Sequence, residues 1–148
     1  LNEFDIVIPT VSNSQALDIG NGTNIAEIIS GTVFVEGAHS AGDTSINVTT
    51  FPDSAGTATG DQVLLKAGDI VRFANHTKVY MATTDVNTDS AGLAVLNIKP
   101  ALITALVDEE AVTTNNVPFR MIMSTDTQEF NYRTDNLIAY EIDIEETI

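Results

Sequence analysis

Apolar and polar positions alternate in short runs along this chain, and the runs are rich in β-branched residues. Residues 4–8 (FDIVI), 24–36 (NIAEIISGTVFVE), 44–50 (TSINVTT), 61–65, 70–73, 78–86, 93–98, 117–123 and 137–144 read as strands. Turn residues separate them at short intervals, a spacing that predicts a β-sandwich or a β-barrel. The clearest period-two stretch is residues 140–145, where Tyr140, Ile142 and Ile144 alternate with Glu141, Asp143 and Glu145. It predicts a half-buried strand with one apolar and one acidic face. Residues 101–107 (ALITALV), directly after Pro100, are dense in Ala and Leu and suit a short helix, with a strand as the close alternative. The expected fold is all-β, a single-domain sandwich or barrel with at most one short helix. Residues 1–23 would form an N-terminal arm, or a first strand with its loop, and residues 24–148 the β domain.

Punctuation inside this pattern is informative. Residues 64–73 read LLKAGDIVRF, with Gly68 and Asp69 breaking a run that otherwise favours a strand. Glycine takes a positive φ without steric cost and aspartate bonds neighbouring N–H groups, so the pair is turn chemistry. A carboxylate held out for catalysis or for a metal is the competing and rarer reading. Residues 12–23, 51–60 and 108–116 read as loops. The middle one, FPDSAGTATG, is small, polar and Gly-rich, and is a candidate contact surface.

Composition narrows the classes. A chain of 148 residues with 43% hydrophobic content can bury a core of its own. Six Lys and Arg stand against 21 Asp and Glu, a formal charge of −15, which argues against nucleic acid and anionic membranes as partners. Cysteine is absent, so disulfides, thiolate metal sites and Cys nucleophiles are excluded. No apolar run approaches the ~20 residues of a membrane span, and the first residues lack the pattern of a signal peptide. A soluble protein is expected, and the start at Leu1 suggests that residues upstream were removed or left out.

Catalytic constellations are thin. His39 and His76 are the two histidines, each in a polar stretch, and are expected to be solvent-exposed loop residues. GxSxG, P-loop, HExxH and GxGxxG patterns are all absent. Asp85, Asn87 and Asp89 stand at alternate positions before Gly92, like the oxygen ligands of a calcium loop, but the downstream bidentate Glu is missing. They remain weak metal candidates beside the favoured reading of a turn capped by Asp and Asn. Asp108, Glu109 and Glu110 read as a solvated acidic loop. No enzymatic activity and no cofactor are expected.

Assembly is the better functional lead. Phe4, Ile6 and Ile8 alternate along the first strand with Asp5 on the other side, and Pro9 would end pairing at a sheet edge. A chain this acidic repels its own copies, so subunit contacts must be apolar, matched to basic residues such as Arg120 and Arg133, or supplied by an exchanged strand. Phe4, Ile6, Ile8, Arg120 and Arg133 are therefore the candidate subunit contacts. An ordinary first strand within its own chain is the competing reading of residues 1–8.

The succession LLKAGDIVRF, KVYMATTDVNTDSAGLAVLNIKPAL, VPFRMIM and EIDIEETI resembles a β module of tailed-bacteriophage structural proteins, in which a strand carrying "aGD" precedes "vY.vt.dv..d..G". The likeness is closest to minor tail proteins of the tail tip or baseplate region, a related pattern occurs in phage coat proteins, and it spans roughly residues 31–148. The resemblance implies scaffold roles for Gly68 and Asp69 as a corner, Tyr80 on a strand, Asp85 and Asp89 in a turn, Gly92 as turn glycine and Pro100 as closing proline. It implies a virion structural protein, most simply in the tail, whose partners are other virion proteins and copies of itself. A capsid decoration or head-surface protein and a calcium- or carbohydrate-binding β module are the alternatives. The upstream portion frequent in such tail proteins is replaced here by the short N-terminal segment.

Overall fold

The computed structural model describes residues 3–8, 33–49, 63–89, 91–123, 130–132, 138–140 and 143–146. Their strands are β1 (Glu3–Val7), β2 (Val33–Val35), β3 (Ser45–Thr49), β4 (Val63–Leu65), β5 (Ile70–Phe73), β6 (Tyr80–Ala82) and β7 (Val86–Asn87). They continue with β8 (Leu93–Lys99), β9 (Ala111–Thr113), β10 (Pro118–Met123), β11 (Phe130–Tyr132), β12 (Ile138–Tyr140) and β13 (Ile144–Glu146). No helix occurs among the described residues, and the fold is all-β.

Six strands close a barrel in the order β2-β3-β8-β6-β5-β9, every neighbouring pair antiparallel. The period-two pattern explains the closure. On β8, Ala94, Leu96 and Ile98 are buried while Leu93, Val95 and Lys99 face outward. Ile46 and Val48 of β3, Val71 and Phe73 of β5, Tyr80 and Ala82 of β6, and Val112 of β9 are likewise buried and fill the interior. The pair β4–β7 adds Leu64, Leu65 and Val86 to the same core.

The segment after β8 departs from expectation, and the helix suggested for residues 101–107 does not form. Its backbone bonds instead to the segment preceding β3. Leu102 N–H donates to Asp43 O at 2.9 Å, Gly42 N–H donates to Leu102 O at 2.8 Å, and His39 and Leu106 exchange bonds in an isolated bridge. Leu102 and Leu106 are thereby buried in the core, a gain that outweighs the helical preference of Ala and Leu. The stretch 108–116, read as a loop, contains β9, because the barrel needs one more strand to close between β2 and β5.

Residues 78–86 form two strands rather than one. Thr83, just past β6, still bonds to β8, its N–H and hydroxyl both donating to Asn97 O, and Val86 then pairs with β4. Of the acidic alternating stretch 140–145, residues 141 and 142 lie outside the described residues; Tyr140 is the last described residue of β12, and Ile144, the first of β13, is 38% exposed. Residues 12–23 and 51–60, read as loops, lie outside the described residues.

Beside the barrel stands a three-stranded antiparallel sheet in the order β1-β10-β13, and β11 pairs with β12.

Candidate functional site

The first feature to place is the Gly-Asp corner. Asp69 N–H donates to Lys66 O at 3.0 Å, closing a four-residue turn in which Gly68 occupies the third position at φ +97°. That is the arrangement of a type II turn, where the third residue needs a positive φ. Asp69 is 2% exposed, and its carboxylate accepts the N–H of Lys66 at 2.8 Å. Gly68 N–H donates to Ala82 O and Ala82 N–H to Asp69 O, both at 2.8 Å, so the corner seats β5 against β6.

Asp85 braces the same corner from outside, accepting from Lys66 Nζ at 2.7 Å and from Ala67 N–H at 3.0 Å. The hydrogen bond from Lys66, then that from Ala67, holds the Asp85 carboxyl below the usual carboxylate range. Asp89 Oδ1 accepts the N–H groups of Ala91 and Leu93 at 2.8 and 3.0 Å, and Asp89 O accepts from Gly92 N–H, Gly92 having φ +78°. Asn87 is exposed on β7 opposite Val63. Of the residues considered for calcium, Asp85 and Asp89 thus serve two different turns, and Asn87 stands on the strand between them. Pro100 follows the last residue of β8 through a cis peptide.

Both histidines depart from the exposed-loop expectation. His39 Nε2 accepts Asn47 N–H at 3.1 Å, so the ring ties the bridge segment to β3. His76 is 6% exposed and packs in an aromatic cluster with Phe73 and Tyr80. Nor is the acidic run 108–110 wholly solvated. Glu110 is 4% exposed, its two oxygens accepting Asn75 N–H at 2.9 Å and Val107 N–H at 3.3 Å. Short polar sequences gave no sign of this burial: His76 packs on Phe73 and Tyr80 at the turn between β5 and β6, and Glu110 is engaged both by nearby Val107 and by distant Asn75.

The exposed feature with a shape suited to assembly is the three-stranded sheet. Residues directly opposed in an antiparallel pair share a face. The registers Phe4↔Met121↔Glu146, Ile6↔Phe119 and Met123↔Ile144 therefore gather Phe4, Ile6, Phe119, Met121, Met123 and Ile144 on one face, with Glu146 at its β13 edge. Phe4 is 37% exposed and Ile8, beyond the end of the strand, also 37%. Every residue of β10 is half-buried. The other face carries Glu3, Asp5, Arg120 and Glu145 together with Val7, Pro118 and Ile122, and there Arg120 Nε and Nη2 donate to Glu3 Oε2 at 2.9 and 2.6 Å.

Two fasteners hold the sheet to the barrel. Arg72 Nη1 donates to Pro118 O at 3.1 Å and lies 3.9 Å from Asp5 Oδ1. Glu146 pairs with Lys78 Nζ and accepts Val79 N–H at 2.9 Å. Within the chain, β1 pairs with β10 over five registered pairs, the pairing of an ordinary first strand. Arg120 donates to Glu3 on the neighbouring strand. Arg133 lies outside the described residues.

Comparison with known proteins adds one finding. Residues 55–117, less than half of the chain, match the family model described as distal tail protein pb9, B domain. The matched stretch contains the Gly68–Asp69 corner, Tyr80 and the barrel strands β5, β6, β8 and β9, and excludes the sheet β1-β10-β13. No curated protein matches the chain. The match supports a structural component of a phage tail, located in the virion tail and in contact with other virion proteins.

Proposed function

We propose that the chain is a tail-tip or baseplate component of a tailed phage, acting by assembly with copies of itself and with neighbouring virion proteins rather than by catalysis. The observation that carries this reading is the apolar face formed by β1, β10 and β13 beside a barrel whose own strands are all paired. The barrel supplies a rigid body, and the sheet supplies a surface that can be buried against another subunit. Phe4, Ile6 and Ile8 keep the contact role expected from their alternation, now through side chains on a paired strand rather than through strand exchange. Apolar contact also suits a chain whose cations Arg72, Lys78 and Arg120 are already paired internally. Gly68, Asp69, Gly92 and Pro100 serve the scaffold.

The test is the double variant Phe4→Asp with Ile144→Asp in the full chain. Unchanged far-UV circular dichroism together with a shift to monomer in native mass spectrometry, and failure to join tails in a complementation assay, is the expected result. Retention of both oligomer and tail incorporation refutes the assignment of this face.

A further inference from the structure

Charge is distributed unevenly over the strands. The six barrel strands contain no Asp or Glu, and their only charged residues are Arg72 and Lys99. The sheet strands β1, β10 and β13 carry Glu3, Asp5, Glu145 and Glu146 against the one cation Arg120. In a chain of net charge −15, a barrel wall without carboxylates is the surface that another copy can approach with least repulsion.

The outward side chains of that wall follow from register. β8 turns Leu93, Val95, Asn97 and Lys99 away from the core. Directly opposed residues share a face, so Asn47 of β3 joins Val95, Ser45 joins Asn97, and Met81 of β6 joins Lys99. Leu93, Met81 and Val95 are 41%, 44% and 49% exposed, an apolar strip bordered by neutral polar groups and by one cation. Among the described residues, Lys66, Arg72, Lys78 and Arg120 each face a carboxylate of their own chain, whereas Lys99 is exposed and in no ion pair. The chain's own sheet meets the wall at the other barrel cation, where Arg72 bonds Pro118 O and lies beside Asp5. The side formed by β3, β8 and β6 repeats that chemistry and stays exposed.

We infer that the outer wall of β3, β8 and β6 receives the apolar face of β1, β10 and β13 from a second copy of the chain. The inference rests on the self-association proposed above and supplies its counter-surface. Leu93, Val95 and Met81 cover Phe4 and Ile144 of the incoming sheet, and Lys99 meets its acidic border. A single exposed ion pair contributes little, so the gain lies in apolar burial at a place where no carboxylate of the wall opposes those of the sheet. Because the two surfaces differ, the contact is head-to-tail and continues from copy to copy instead of ending at a pair.

The test mixes two variants of the full chain in native mass spectrometry. Val95→Asp charges the wall, and the double variant Phe4→Asp with Ile144→Asp charges the sheet. Circular dichroism checks that each is folded, and Lys99→Glu, at an exposed side chain, replaces Val95→Asp if that variant is not. Each variant alone is expected to be monomeric, its self-association weakened by about tenfold or more. Their mixture is expected to give a one-to-one heterodimer and nothing larger, because one variant keeps an intact wall and the other an intact sheet. A wall variant that self-associates like the wild type, a sheet variant that dimerises alone, or a mixture without heterodimer overturns the assignment of the wall while leaving self-association standing. A wild-type chain that is itself monomeric overturns the self-association, and this inference with it.

Discussion

Gly68 and Asp69 answer different needs within one corner. Gly68 supplies φ +97°, a conformation that side chains with a branched Cβ resist, while its N–H holds Ala82 O. Gly68→Val is expected to destabilise the fold by about 1 kcal/mol or more, read as a lower midpoint in urea denaturation. An unchanged midpoint would show that the corner tolerates a β-branched residue. Asp85 provides a pH signature at the same corner. Its folded pKa is depressed by Lys66 and Ala67, so its stabilising contribution is complete above the unfolded carboxylate pKa and is lost as pH falls through the folded value. Carbon-detected NMR titration should place the Asp85 midpoint below the usual carboxylate range, and Lys66→Met should raise it.

Among the strands, β1 is the one whose removal is expected to separate folding from assembly. It belongs to the sheet with β10 and β13, whereas the barrel closes through β2, β3, β8, β6, β5 and β9. Deleting residues 1–9 is expected to leave a cooperative barrel unfolding transition while abolishing incorporation into particles. The deletion leaves one edge of β10 unpaired and removes Asp5, a neighbour of Arg72, but spares the core. A deletion variant that is unfolded when isolated would show that the sheet is integral to the fold and would sink the separation drawn here. β8 behaves oppositely, since it pairs with both β3 and β6 and its Leu96 is fully buried. Leu96→Ala is expected to lower stability by about 2–5 kcal/mol through the cavity it leaves, measured by chemical denaturation.

For the molecule as a whole, the net charge of −15 sets the terms of association. Like-charged copies repel over a Debye length, about 10 Å at 0.1 M salt and about 3 Å at 1 M. If the contact is the apolar face of β1-β10-β13, added salt screens repulsion without weakening the attraction. The assembled fraction in sedimentation velocity should therefore rise between low salt and about 0.5 M salt, where the Debye length falls well below 10 Å. A fall with salt would indicate that intersubunit ion pairs carry the association.

Local chemistry made the all-β class, the positions of most strands and the Gly68–Asp69 corner legible in the amino-acid order. Period-two alternation and turn residues act over a few positions, and β8 and β5 show their buried faces in that alternation. The apolar row of Phe4, Ile6 and Ile8 was legible for the same reason, but its partner was not. Pairing β1 with β10 joins residues more than a hundred positions apart, and register is settled by which edges the folded chain leaves open. The same limit hid the strand β9, the extended path of residues 101–107, and the burial of His76 and Glu110. Barrel closure sets each of them, because it buries polar side chains wherever the closed sheet covers them, with partners as near as Tyr80 is to His76 or as distant as Asn75 is from Glu110.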